Sequence, residues 1–145
     1  MEKDYTLGLY EKAMPASLSY VEKLLTAKEC SFDFVELSID ETDEKLARLD
    51  YTHKERQELV RTMFDTGLFF RSICLSGHRK YPLGSADAKT RERGMDIMKK
   101  AVDLAGDLGI RIIQLAGYDV YYEDGSEATR AHFLENLIKA VEYAA

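Results

Sequence analysis

Of 145 residues, 46% are hydrophobic, enough for one domain with a core of its own, so a disordered chain is excluded. The chain carries 20 Lys and Arg against 26 Asp and Glu, a formal net charge of -6. That balance excludes a surface built to neutralise nucleic-acid phosphates, on which such affinity depends.

In chain order, a first short strand is predicted over Thr6 to Tyr10. A helix follows, in which Ser19 and Glu22 have the spacing of a capping box and Val21, Leu24 and Leu25 supply an apolar face. The stretch "FDFVELSID" is dense in branched and aromatic residues, as in a strand buried on both faces. A short helix is expected around Glu44 to Leu49. Thr52 and Glu55 form a second capping box before a helix with Leu59, Val60, Met63 and Phe64 on one face, and Gly67 is placed to stop it. "LFFRSICLS" is the third strand. A long amphipathic helix from about Ala88 to Leu108 ends at Gly109, and "IRIIQLAG" is the fourth strand. A polar loop leads to a Ser126-capped helix with Phe133, Leu134, Leu137, Ile138 and Val141 on its apolar face.

Strand and helix alternate four times, with crossovers long enough for parallel pairing, so the fold class is α/β with a parallel sheet in one domain, residues 1–145. Ligands bind such folds at the carboxyl ends of the strands, where the βα loops converge. Glu36, Cys74 and Gln114 are read as occupying matching places near those ends. His78 and Arg79 follow Ser76 and Gly77 just after strand three, where an imidazole and a guanidinium can reach an anionic or hydroxylated ligand. Glu36 in a buried strand needs a partner, either a sugar hydroxyl or an ion pair, and Gln114 can both donate and accept. Tyr10, Glu11 and Tyr118 are weaker candidates for ligand contact, since aromatic residues there can simply wall the pocket, and Lys80, His53 and His132 read as ordinary surface or helix residues. No glycine-rich nucleotide loop opens any helix. Cys30 and Cys74 have no Cys or His companion at metal-ligand spacing and read as buried reduced thiols. No apolar run approaches the roughly 18 residues of a membrane span, and "MEKDYTLGLYEKAMP" lacks the order of a signal peptide, so a cytoplasmic protein away from membranes is expected.

The stretches "LGLYEKAMP", "FDFVELSIDETDEKLARLD", "CLSGHRKYPLGS", "TRERGMDIMKKA" and "LGIRIIQLAGYDVYYE" together resemble the N-terminal part of the L-xylulose-5-phosphate 3-epimerases, also called L-ribulose-5-phosphate 3-epimerases, of the ascorbate-utilisation type. The resemblance runs from about Leu7 to Ala145 and implies a xylose-isomerase-like TIM (β/α)8 barrel acting on a ketopentose phosphate with a divalent metal. A barrel of that kind takes about 250 residues, so four βα units amount to half of one, a parallel (βα)4 half-barrel. The resemblance places the metal ligands and proton-transfer groups on the other half. No catalytic or metal residue is therefore assigned here, no cofactor is expected on these residues alone, and the chain by itself is expected to be inactive. Glu36, His78, Arg79 and Gln114 are the expected substrate contacts. A half-barrel is also expected to self-associate, most simply as a homodimer, because Val35, Leu37, Ile73, Leu75, Ile113 and Leu115 would line an uncovered inner face. The alternative is a non-enzymatic oligomeric half-barrel that serves as a binding or structural module.

Overall fold

The computed structural model describes residues 4–145; residues 1–3, the start of the segment read above for targeting signals, lie outside them. Four parallel strands form one sheet in the order β1-β2-β3-β4: β1 (Gly8–Tyr10), β2 (Phe34–Ile39), β3 (Phe70–Leu75) and β4 (Ile112–Leu115). Between and after them run α1 (Tyr20–Glu29), α2 (Asp43–Leu46), α3 (His53–Thr66), α4 (Ala88–Leu108) and α5 (Glu127–Ala144). β1 and β4 pair on one side only, so among the described residues both sheet edges are open.

Local chemistry sets the helix boundaries. Ser19 and Thr52 each accept from the backbone N–H three residues on, and Glu22 and Glu55 reach back to the cap residues, so both expected capping boxes form. Gly67 and Gly109 end α3 and α4 with φ of +70°, a left-handed turn that favours glycine.

The sheet corrects the expectation of an uncovered apolar inner face. Val35, Leu37, Ile73 and Leu75 are fully buried, with Ile39, in one core with Leu24 and Ala27 of α1, Leu59 and Met63 of α3, and Ile97, Ala101 and Leu104 of α4; Ile113 and Leu115 pack on it half-buried. Each such side chain stabilises the fold by roughly 1.5–3 kcal/mol. Strand period explains the reversal: pairing puts Leu37, Ile73 and Ile113 in one row and Ile39, Leu75 and Leu115 in the next. Alternation leaves Glu36, Ser72 and Ile112, then Ser38, Cys74 and Gln114, on the opposite face, which is mostly polar.

Several helix faces also differ from expectation. Val21 and Leu25 of α1 and Phe64 of α3 are exposed. On α1 the buried stripe is Lys23, Leu24 and Ala27, because Lys23 has an ion-pair partner inside. Leu134, Ile138 and Val141 of α5 are exposed as well, since among the described residues no element packs over that side. Cys30 is exposed at the end of α1 and Cys74 is half-buried on the polar face, so neither is the buried thiol expected. Among the described residues, no helix is long and apolar enough to cross a membrane.

Candidate functional site

The polar face of the sheet and the loops at its carboxyl end make one continuous region. Glu36 lies inside it and accepts a hydrogen bond from the Ser72 hydroxyl at 2.7 Å. The Tyr10 and Ser38 hydroxyls are 3.2 Å apart, and burial pushes the Tyr10 hydroxyl's pKa up. Gln114 is exposed on β4, directly across the ladder from Cys74. The register corrects the matching places read from the sequence: Ser38, not Glu36, shares a row with Cys74 and Gln114, and Glu36 sits one row deeper with Ser72 and Ile112. A slip of two residues keeps a side chain on the same face, so the polar alternation was visible and the depth was not.

His78 and Arg79 part company. His78 is buried in a 3₁₀ turn, Gly77–Arg79, and its Nε2 lies 3.0 Å from the Gly94 carbonyl of α4. A carbonyl only accepts, so this nitrogen carries the proton and the imidazole clamps the loop to the helix. Burial pushes its pKa down, which the Gly94 bond partly offsets. The same loop is held elsewhere: Gly84 N–H donates to the Asp119 carbonyl at 3.1 Å, and Asn136 donates to the Leu83 carbonyl at 2.8 Å. A Cβ on Gly84 would fall 2.5 Å from the Asp119 and Thr129 carbonyl oxygens, so the backbone approach itself requires glycine.

Arg79 remains exposed at the rim. Its guanidinium lies 5.2 Å from the centre of the Tyr121 ring. Tyr118, Tyr121 and Tyr122 pack in sequence, tilted and then edge-to-face, with centroids 5.1 and 4.8 Å apart, and the Tyr122 hydroxyl donates to Glu41 Oε1 at 2.8 Å. Loops after β2, β3 and β4 thus meet in one cluster. Two of its atoms, Glu41 Oε2 and the Tyr118 hydroxyl, are buried without a hydrogen-bond partner. Arg79 lies near enough to Tyr118 to oppose the upward push of burial on that hydroxyl's pKa, without making a well-directed hydrogen bond to it. Glu41, Tyr121 and Tyr122 were not singled out from the sequence. The density of tyrosines in "YDVYYED" was the available signal.

Glu11, at the tip of β1, is a different carboxylate. It is only 1% exposed and accepts from Lys23 at 2.7 Å, Lys45 at 3.2 Å, Arg48 at 2.6 and 2.8 Å, and the Ser38 N–H at 2.9 Å. Burial alone would raise its pKa, but the hydrogen bonds from Arg48 and Lys23 outweigh that and hold the carboxyl far below the usual range. Both oxygens are spent inside the fold. Beside it, Lys12 pairs with Asp40 at 2.8 Å.

A divalent cation of the kind implied by the resemblance needs several carboxylate or imidazole donors converging on one point. Among the described residues no three His, Cys, Asp or Glu side chains do so, and Glu36 is the one carboxylate on the polar face of the strands. These residues do not fit a metal cage on their own, and no chemical step is assigned through one.

Parallel strands walled by helices on one face and polar on the other define half of a TIM barrel, with its ligand end at the strands' carboxyl termini. Residues 24–145 match the family model of the xylose isomerase-like TIM barrel, and the chain belongs to that family. SgbU of Escherichia coli strain K12, provisionally named an L-ribulose-5-phosphate 3-epimerase, is 57% identical over 99% of this chain and 50% of its own length. The L-ribulose-5-phosphate 3-epimerase UlaE of Shigella boydii is 51% identical over 99% of this chain and 51% of its own. The chain therefore spans about half the length of the curated relatives it matches. Among solved structures, a D-psicose 3-epimerase crystallised in the presence of D-fructose superposes with a TM-score of 0.75 at 16% identity, over 97% of this chain and 48% of that one. An L-ribulose 3-epimerase gives 0.68 at 24% identity, over 95% and 45%. At such identities these structures establish the fold alone.

Proposed function

We propose that this chain forms the substrate-holding face of a ketopentose-phosphate 3-epimerase that interconverts L-xylulose 5-phosphate and L-ribulose 5-phosphate. The observation that carries the reading is the open polar face, Glu36 to Gln114, at the ligand end of a half-barrel whose relatives bear that name. Epimerisation at C3 removes a proton alpha to the C2 carbonyl and returns it on the opposite side, which calls for two positioned acid/base groups. With one carboxylate on the polar face of the strands, these residues suit holding the sugar better than moving its protons. Glu36, fixed by Ser72, accepts from a sugar hydroxyl, Gln114 donates and accepts, and Arg79 donates at the rim. His78 acts by holding the loop that carries Arg79. The divalent cation expected for the complete enzyme would draw its donors from outside these four units.

The test is an epimerase assay on L-ribulose 5-phosphate with added divalent metal, using this chain alone and mixed with the separately produced remainder of SgbU. We expect no turnover alone and turnover in the mixture. Turnover by the chain alone would overturn its assignment as inactive by itself. An inert mixture in which the two parts demonstrably associate would overturn the epimerase reading.

A second reading, a self-associating half-barrel, is favoured by the free edge of β4 and by a groove of about 470 Å³ beside it, lined by Met98, Val102, Ile113, Leu115 and Val141. Open edges template pairing and apolar grooves attract cover. In that case sedimentation velocity of the chain alone gives a dimer that dissociates on dilution; a monodisperse monomer across the same range contradicts it.

A further inference from the structure

The rim cluster holds more than a wall of aromatic rings. Glu41 Oε2 is a buried carboxylate oxygen with no partner, and such an atom only accepts, so whatever completes it must donate. Native folds rarely leave a buried polar atom unmet, because desolvation is then uncompensated. The Tyr118 hydroxyl, equally buried, has Arg79 nearby but no well-directed hydrogen bond, and it can donate or accept. The Arg79 guanidinium only donates, is laid on the Tyr121 ring, and among the described residues has no carboxylate at ion-pair distance. One acceptor, one donor and one group that does either match a carbon chain bearing hydroxyls. An anion matches poorly, because Glu41 would face it with like charge.

We infer that Glu41, Tyr118 and Arg79 form a polyol subsite at the rim, recognising hydroxyls of a sugar chain rather than its phosphate. Glu41 is its specificity-determining residue. Tyr122 fixes it by donating to its other oxygen, which leaves Oε2 for the ligand. The subsite draws on the epimerase reading only for which sugar is bound, since binding of a hydroxylated chain is measurable without reaction.

The experiment is a nuclear magnetic resonance titration of the isotope-labelled chain with xylitol, L-ribulose, L-ribulose 5-phosphate and inorganic phosphate. Xylitol and L-ribulose are expected to shift the signals of Glu41, Arg79 and Tyr118, and inorganic phosphate is not. Glu41→Gln and Tyr118→Phe, which keep the shape of each side chain, should each weaken the polyol response about tenfold. The proposal is overturned if phosphate alone moves these signals at the same concentration, if Glu41→Gln binds as tightly as the parent, or if no polyol moves them and the orphaned atoms hold water only. Turnover by the reassembled enzyme with silent Glu41 signals would sink the subsite and spare the epimerase reading; a polyol response without turnover would do the reverse.

Discussion

Two glutamates at the carboxyl ends of neighbouring strands have opposite surroundings. Glu11, after β1, receives hydrogen bonds from three cationic side chains and a backbone N–H, and nothing is left over for a ligand. Glu41, after β2, has one oxygen bound by Tyr122 and the other buried and empty-handed. Over-satisfied carboxylates lock a fold, and under-satisfied ones wait for a partner. Position in a barrel mouth does not by itself separate the two roles; hydrogen-bond accounting does.

The largest expected effect breaks the closed member of the pair. Glu11→Ala leaves Lys23, Lys45 and Arg48 buried without their counter-charge, which costs about 3–5 kcal/mol in such clusters. Urea unfolding should register a loss of that size. The pH dependence sharpens this. The folded Glu11 carboxyl titrates below its ordinary value of 4.5, so below that pH the unfolded chain binds the proton first. Its stabilisation is therefore complete above pH 4.5 and is lost as pH falls below it. The urea midpoint of the parent should drop more steeply there than that of Glu11→Gln.

Next in size is Gly84→Ala, whose Cβ would meet two carbonyl oxygens at 2.5 Å. Overpacking of this kind costs about 1–3 kcal/mol, and thermal unfolding should register it. Ser19→Ala, which removes the α1 cap, should cost about 1 kcal/mol by urea titration. Smallest of all is Glu41→Ala. Removing a carboxylate whose one buried oxygen is unmet and whose other holds only the exposed Tyr122 hydroxyl should leave stability within about 0.5 kcal/mol of the parent or raise it, by the same urea titration. A loss as large as that of Glu11→Ala would abolish the contrast.

Much of the architecture was legible because it is local. The capping pairs Ser19/Glu22 and Thr52/Glu55, the stops at Gly67 and Gly109, and the bounds of α4 follow from short-range hydrogen bonding and backbone freedom. Which face of the sheet is covered does not follow from the apolar density of "FVELSI", because its alternation puts Glu36 and Ser38 opposite Val35, Leu37 and Ile39. Within the site, Glu36, Arg79 and Gln114 were visible as polar residues near strand ends. The turning of His78 toward Gly94, and the convergence of Glu41 with Tyr118, depend on how three loops far apart in sequence fold over one another, and no periodicity encodes that.

The contrast between the two glutamates is tested most directly by following their side-chain carboxyl carbons by nuclear magnetic resonance while L-ribulose 5-phosphate is added near neutral pH. The Glu41 signal should move with saturating ligand and the Glu11 signal should stay fixed, its carboxylate remaining ionised when the pH is then lowered to about 4. A Glu11 signal that responds to the sugar while Glu41 stays silent would contradict it.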